Sequence, residues 1–199
     1  MSEISLLPSS KHLLPEGRLA ITIAEDRYIQ MVKQSLAGER DFALCMLNED
    51  EEQNEIKKLP AIATTCKVID FNSDENGLLS IVVEGQQKVR LLSIRIAENN
   101  LLTADSHPYT HWEPTPVDDT TECLSEKLKL FFASQPSIGA LYPNPAYTNL
   151  TWVCHRWLEI LPLEVHYKQL LITQESIKLT IRFLLKLLDN NEFPTSEII

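Results

Sequence analysis

At 199 residues and 22.7 kDa, with 44% hydrophobic and 23% charged residues, the chain has the composition of a soluble globular protein large enough to bury a real core. No apolar run reaches the roughly 18 residues of a membrane span, and Met1-Ser2-Glu3 lacks the basic flank and apolar core of a signal peptide, so a cytoplasmic protein off the membrane is expected. The net charge of −10, with Lys and Arg dispersed, opposes nucleic acid as the main partner, because a phosphate-binding surface needs clustered cations.

In chain order, Leu14-Pro15-Glu16-Gly17 reads as a turn feeding a strand with Leu19, Ile21 and Ile23 on one face. The period then changes to that of a helix over 26–37, with Tyr28, Ile29, Val32 and Leu36 on one side and Gly38 as its stop. Phe42 to Leu47 is a short apolar run consistent with a buried strand. The acidic cluster Asp50-Glu51-Glu52 to Glu55 reads as a solvated loop over 48–58. Ile62 to Phe71 and Leu78 to Glu84 predict a hairpin returning through Asn76-Gly77, with Leu79, Ile81 and Val83 on a clean apolar face. Gly85 breaks that pattern, and Val89 to Ile96 and Leu101 to Ala104 supply two more strands.

Over 107–119, Pro108, Pro114 and Pro116 exclude both a helix and a central strand, which places a boundary there. The expected organisation is a β-rich domain over 1–106, a Pro-rich linker over 107–119 and a helical bundle over 120–199. Asp119 with Glu122 resembles a capping box for a helix carrying Leu124, Leu128, Phe131 and Phe132, ended by Pro136. After an irregular Tyr142-Pro143-Asn144-Pro145, residues 150–160 place Trp152, Val153, Trp157 and Leu158 at helical spacing, and Pro162 stops them. Val165 to Leu171 is a short helix, and Thr173 is expected to cap a last one bearing Ile177, Ile181, Leu184, Leu185 and Leu188.

Several segments, in order, carry a resemblance. Leu6-Leu7-Pro8 precedes the turn, and the strand-into-helix run Leu19-Ala20-Ile21-Thr22-Ile23-Ala24-Glu25-Asp26-Arg27-Tyr28 follows it. Ala63-Thr64 leads a strand ending Val68-Ile69-Asp70-Phe71. Glu84-Gly85-Gln86-Gln87-Lys88-Val89-Arg90-Leu91, Leu161-Pro162-Leu163-Glu164 and Lys168-Gln169-Leu170-Leu171 complete the set. Together these resemble the Lon N-terminal domain family over nearly the whole chain. Ala24, Asp26, Ala63 and Ile172 depart from residues usual in that family. The resemblance implies an α+β fold: a β-rich, PUA-like pseudo-barrel N-terminal half packed against a C-terminal helical bundle. It also implies substrate recognition related to proteolysis, with the ATPase and peptidase modules of the full protease absent.

The residues themselves offer no catalytic machinery. No G-x-x-x-x-G-K-S/T cradle is present for ATP, and no Gly-rich segment frames a Ser nucleophile with an activating Lys. Cys45, Cys66, Cys123 and Cys154 form no C-x-x-C pair and read as free thiols, three or four of them buried. His107 and His111 are four apart, but Pro108 disfavours the helix that would align them, so no metal and no cofactor is expected. Glu25 and Arg27 read as an ion pair at a helix start rather than a ligand site.

What remains is aromatic. Trp152 and Trp157 have the spacing of a core stripe. Tyr109, Trp112, Tyr142 and Tyr147 lie in predicted loops, and for them a packing role and a peptide-binding role are equally open. If they form a groove at the domain boundary, they should be at least partly exposed and gathered in one concave region. The expected function is a non-catalytic module binding unfolded or extended protein segments. The alternative is an RNA-binding PUA-like protein, which the charge opposes.

Overall fold

The computed structural model describes residues 2–47, 59–73 and 78–189. The acidic run 50–55 and the Asn76-Gly77 turn lie outside the described residues. The chain divides into two compact units, Met1–Thr110 and His111–Ile199. The fold class is α+β. The described residues hold six strands in the first unit, with one helix, and five helices in the second.

In the first unit the strands are β1 (Ser2–Ser9), β2 (Arg18–Ile23), β3 (Phe42–Met46), β4 (Ile62–Ser73), β5 (Leu79–Ile96) and β6 (Leu102–Pro108), with helix α1 (Asp26–Leu36) between β2 and β3. The order is β2-β5-β4-β3-β1-β6, and β6 returns to pair with β5. The ring β5-β4-β3-β1-β6 is therefore closed, and β2 lies outside it on the first half of β5. Only β1 and β3 run parallel.

Gly85 does not end a strand. One strand runs through it from Leu79 to Ile96, against the sequence expectation of two. A Cβ on Gly85 would sit 2.2 Å from the Leu14 carbonyl oxygen and 3.1 Å from Thr64 Cγ2, so glycine is there to let another stretch of backbone cross. The crossing is bonded: Glu16 N–H donates to the Gly85 carbonyl (2.7 Å) and Gly85 N–H to the Gly17 carbonyl (2.9 Å). Between the pairs Thr64↔Lys88 and Cys66↔Gly85, β5 carries one residue more than β4. That bulge bends β5, so that its first half pairs with β2 and its second half with β6.

Two apolar layers follow from strand alternation. Ile4, Leu6, Ala43, Cys45, Ala63, Val89, Leu91, Leu102 and Ala104 come from all five ring strands and fill the barrel interior. Small residues recur because a five-stranded ring encloses little space. On the opposite face Leu7, Phe42, Leu44, Cys66, Ile81 and Val83 pack against Met31 and Val32 of α1. Leu36, expected on that face, is 52% exposed at the last turn. The helix stops at Gly38 (φ 72) in a Schellman arrangement, with Gly38 N–H on the Ser35 carbonyl and Glu39 N–H on that of Gln34. β6 runs through His107 and Pro108, residues read from sequence as linker. It does so because a proline at the end of a strand forfeits only a terminal bond, and Tyr109 N–H extends the ladder to the Lys88 carbonyl (2.8 Å).

The second unit contains α2 (Glu122–Ser134), α3 (Pro136–Gly139), α4 (Leu150–Ile160), α5 (Val165–Ile172) and α6 (Lys178–Asp189). Asp118, not Asp119, organises the start of α2. Its carboxylate accepts from the N–H and hydroxyl groups of both Thr120 and Thr121, an Asx turn that also holds its pKa down. Asn149 caps α4, accepting from Thr151 N–H (3.1 Å) and Trp152 N–H (3.4 Å). Thr173 closes α5 instead of opening α6, its hydroxyl donating back to the Gln169 carbonyl (2.8 Å). Every residue from Leu150 to Leu158 is buried, and α4 packs on α2 and α6.

The Gly85 crossing yields a stability prediction. Gly85→Ala forces a methyl group into the Leu14 carbonyl, and displacement of that backbone should lower the unfolding free energy by about 3 kcal/mol. Urea denaturation of the variant beside the parent chain measures it.

Candidate functional site

The strand-into-helix opening builds an unusual surface. In the Leu14–Gly17 turn, Gly17 N–H donates to the Leu14 carbonyl (2.9 Å), and Glu16 takes φ 62 at the position where a type II turn normally needs glycine. The turn delivers β2 alongside β5 from Arg18↔Glu84 to Ile23↔Leu79. An Arg18–Glu84 ion pair (2.9 Å) clasps the first of these pairs. Because Gly85 N–H bonds to the Gly17 carbonyl, antiparallel alternation directs the main-chain groups of Leu19, Ile21 and Ile23 toward β5. Those of Ala20 and Thr22 face away from the sheet.

On β2 the inward side chains Leu19 and Ile21 are half-buried against the cluster that includes Ile81 and Val83, while Ala20 and Thr22 are exposed. On the opposite side of β5, β4 continues past the end of its pairing with β3 and carries Phe71, 61% exposed, directly opposite Ile81. The open β2 edge of the extension thus carries the half-buried Leu19 and Ile21, and Phe71 is exposed on β4 at the opposite border, with the buried Ile81 and Val83 of β5 between them. At its lower end Glu25 pairs with Arg27 (2.8 Å), as the sequence suggested, and Arg27 also donates to the Asn100 carbonyl (2.7 Å).

The four boundary aromatics are not equivalent. Trp112 is only 5% exposed; its indole N–H donates to the Gln174 carbonyl (2.8 Å) and its ring stacks on His155 at 5.1 Å. Tyr142 is buried too, stacked on Phe132 at 5.1 Å and edge-on to Trp152 at 5.6 Å. For these two the expectation of exposure fails. The reason is that large rings beside a helical bundle gain most by filling it, and the Trp112 indole N–H finds its acceptor at Gln174. Tyr147 is half-buried in the same cluster, edge-on to Trp152 at 5.8 Å with Lys129 Nζ over its ring at 5.4 Å. Tyr109 belongs to the first unit, half-buried, with Lys88 Nζ at 5.6 Å and Arg90 Cζ at 5.3 Å from its ring centre. The structure therefore joins Tyr142 and Tyr147 and places Trp112 on different partners within the same unit. Trp152 and Trp157 are core residues, each 4% exposed, as their spacing suggested.

Of the cysteines, Cys45, Cys66 and Cys154 are buried and Cys123 is exposed, none in a disulfide. Burial pushes the Cys154 thiol up to about 12, the opposite of what a nucleophile requires. Among the described residues no group of three or more His, Cys, Asp or Glu side chains could hold a metal ion, and no helix is long and apolar enough to cross a membrane.

Sequence reading missed a buried charge cluster on α4 and α5. Arg156, fully buried, grips Glu159 with two nitrogens (2.7 and 2.9 Å), while Lys168, 3% exposed, donates to the Glu159 main-chain carbonyl at 3.3 Å. Only the helical period, which puts Lys168 beside Val165, Leu171 and Ile172 among the buried residues of α5, hinted at it. Burial lowers the Lys168 ammonium from 10.5 to about 8.

Residues 3–190 match the family described as the ATP-dependent protease La (LON) substrate-binding domain. No curated protein matches the chain. Among solved structures, a Lon N-terminal domain protein from Xanthomonas campestris superposes with a TM-score of 0.72 at 18% identity, over 94% of this chain and 98% of that one. The N-terminal domain of a Mycobacterium avium complex Lon protease gives a TM-score of 0.63 at 13% identity, over 96% of this chain and 100% of that one. At these identities the likeness is one of fold.

Two expectations follow from the packing. Trp112→Ala should cost about 3–5 kcal/mol of stability, the range for a buried ring, which thermal and urea unfolding will register. Between about pH 8 and 10.5 the unfolded chain holds a proton on Lys168 that the folded chain has released, so this residue's share of stability rises with pH there and is least below it. Lys168→Met should therefore be more stable than the parent at neutral pH, with the advantage shrinking as pH climbs through that window. Paired urea titrations at several pH values follow the difference.

Proposed function

The chain belongs to the family of the ATP-dependent protease La (Lon) substrate-binding domain, and from that premise we propose that it is a non-catalytic module that holds unfolded or extended protein segments. The single observation that carries this reading is the β2-β5-β4 extension, where half-buried Leu19 and Ile21 lie on the strand β2, which no described strand pairs on its outer side, and Phe71 is exposed on β4 at the opposite border. Native proteins bury such residues, so an apolar face of this kind suits a partner whose own apolar residues are uncovered. Of the four boundary aromatics, Tyr109 and Tyr147 keep surface for a partner, whereas Trp112 and Tyr142 serve packing. The family's link to proteolysis enters here as recognition without cleavage. A net charge of −10 favours protein over RNA as the occupant.

A reduced and alkylated protein that cannot refold is the direct probe. It should bind in the micromolar range by fluorescence anisotropy, while the same protein in its native fold should not. Incubation with ATP and magnesium should leave the probe uncut. Binding of native and unfolded forms alike, or cleavage, would overturn the reading. Phe71→Ser should weaken binding several-fold with little change in melting temperature, because an exposed side chain contributes little to folding.

A further inference from the structure

We propose that β2 is the docking strand itself: an extended substrate segment adds to its open edge as one more strand, with apolar residues at alternate positions and basic residues at its ends. This rests on the protein-binding reading above and specifies its mode. Ala20 and Thr22 turn their N–H and C=O groups away from β5, and no strand among the described residues pairs with that side of β2. Exposed edges are ordinarily blunted by a bulge, a proline, a lysine or an inward charge. β2 has none of these between Leu19 and Ile23, and over that stretch the outward-facing positions carry only the small side chains of Ala20 and Thr22.

The other border of the same extension is built differently. Past Cys66, β4 no longer pairs with β3, yet there it carries an extra residue between Val68↔Val83 and Asp70↔Val82, and the Asp70 carboxylate accepts the Phe71 N–H at 2.9 Å. One border is bulged and self-capped while the other is regular and open. Among the described residues a single strand-accepting side is the result.

The side chains beside the edge define the occupant. Leu19 and Ile21 stand two residues apart on the inward face, half-buried, so a segment bonded to Ala20 and Thr22 would lay its own alternate residues against them. An apolar-x-apolar pattern fits. Exposed carboxylates bracket the strand, Glu16 before it and Asp26 after it, while Arg18 is engaged by Glu84. With the chain at −10 overall, Lys or Arg flanking the apolar pair is the complementary choice.

The test uses a fluorescent peptide of alternating Val and Thr with Lys at both ends, and the same peptide N-methylated at alternate residues. Proline at an edge strand is tolerated where its N–H faced solvent, so Ala20→Pro removes an outward donor while leaving the β2-β5 ladder in place. The parent chain should bind the peptide, and both Ala20→Pro and N-methylation should weaken it about tenfold, as expected for one or two main-chain hydrogen bonds plus the obstructing ring. Should Ala20→Pro fail to fold, the N-methylated peptide on the parent chain decides alone. If unfolded protein and peptide bind but neither change weakens them, strand addition is overturned and the protein-binding reading stands. If nothing unfolded binds, both fall. A dimer of the free chain that peptide does not disperse and Ala20→Pro does would assign the edge to a second copy, overturning the proposed occupant.

Discussion

The first unit depends on one contact between backbones, the passage of Leu14 over Gly85. A strand of eighteen residues cannot stay straight and also serve a small closed ring and an extension beyond it. The bulge at Gly85 lets β5 do both. Its second half closes the ring with β6, and its first half carries β2 and the free end of β4. Any side chain at Gly85 would collide with the Leu14 carbonyl. Thr64 completes the junction, its hydroxyl donating to the Leu13 carbonyl at 2.7 Å, so three separate stretches of chain meet where no side chain intervenes. The open edge at β2 is a consequence. Once the turn at Leu14–Gly17 is pinned to Gly85, β2 has one neighbour among the described strands, and no described strand takes its outer side.

Ring closure also explains where polar groups are tolerated. All five ring strands bury small or apolar residues on the inner layer, and their backbone groups pair within the closed ladder. Outside, an exposed ion-pair chain from Arg40 through Glu3 and Arg95 to Asp105 ties β1, β5 and β6 together, and Arg95 holds the Asp105 carboxyl below its usual range. Such surface pairs add little to stability. Their use here is to fix register next to Ser93, whose φ of 47 marks the extra residue β5 carries between Leu92 and Arg95.

Local patterns were legible wherever one residue type answers one physical need. The 2-residue period of Leu19, Ile21 and Ile23, the Gly38 stop and the α4 stripe of Trp152 and Trp157 each appear as read. Gly85 was misread because a glycine that ends a strand and one that lets another backbone cross look identical until the crossing partner is known. Pro108 misled for a similar reason, since a proline excluded from a central strand is harmless at a strand's end. Trp112 and Tyr142 show the limit for sites: sequence places them in irregular segments, but burial is decided by tertiary partners, Gln174 and His155 far along the chain for Trp112 and the Phe132 ring for Tyr142. The edge of β2 carried no residue signal at all. Openness belongs to topology, and Ala20 and Thr22 are unremarkable until the sheet order leaves them outermost.

The two units distribute polarity in opposite ways, and this separates scaffold from working surface. In the helical unit, polar atoms on large side chains are turned inward: the Trp157 indole N–H goes to the Leu124 carbonyl (3.0 Å), Ser125 to that of Tyr147 (2.7 Å), and Arg156 to Glu159. The first two bonds fix α2 against α4 and against a connecting segment, the third lies within α4, and a buried donor left without its acceptor would cost more than the bond returns. Such a unit has little freedom to rearrange for a partner. Among the described residues of the β unit, the groups left for a partner on the proposed reading are outward main-chain groups of β2, and strand addition there would bind without regard to side-chain identity. Recognition through the backbone suits a partner defined by being unfolded rather than by its sequence, and the apolar pair Leu19 and Ile21 then supplies only a coarse preference. A module that must accept many chains gains from that division, because selectivity rests on the partner's extended state while the scaffold stays rigid.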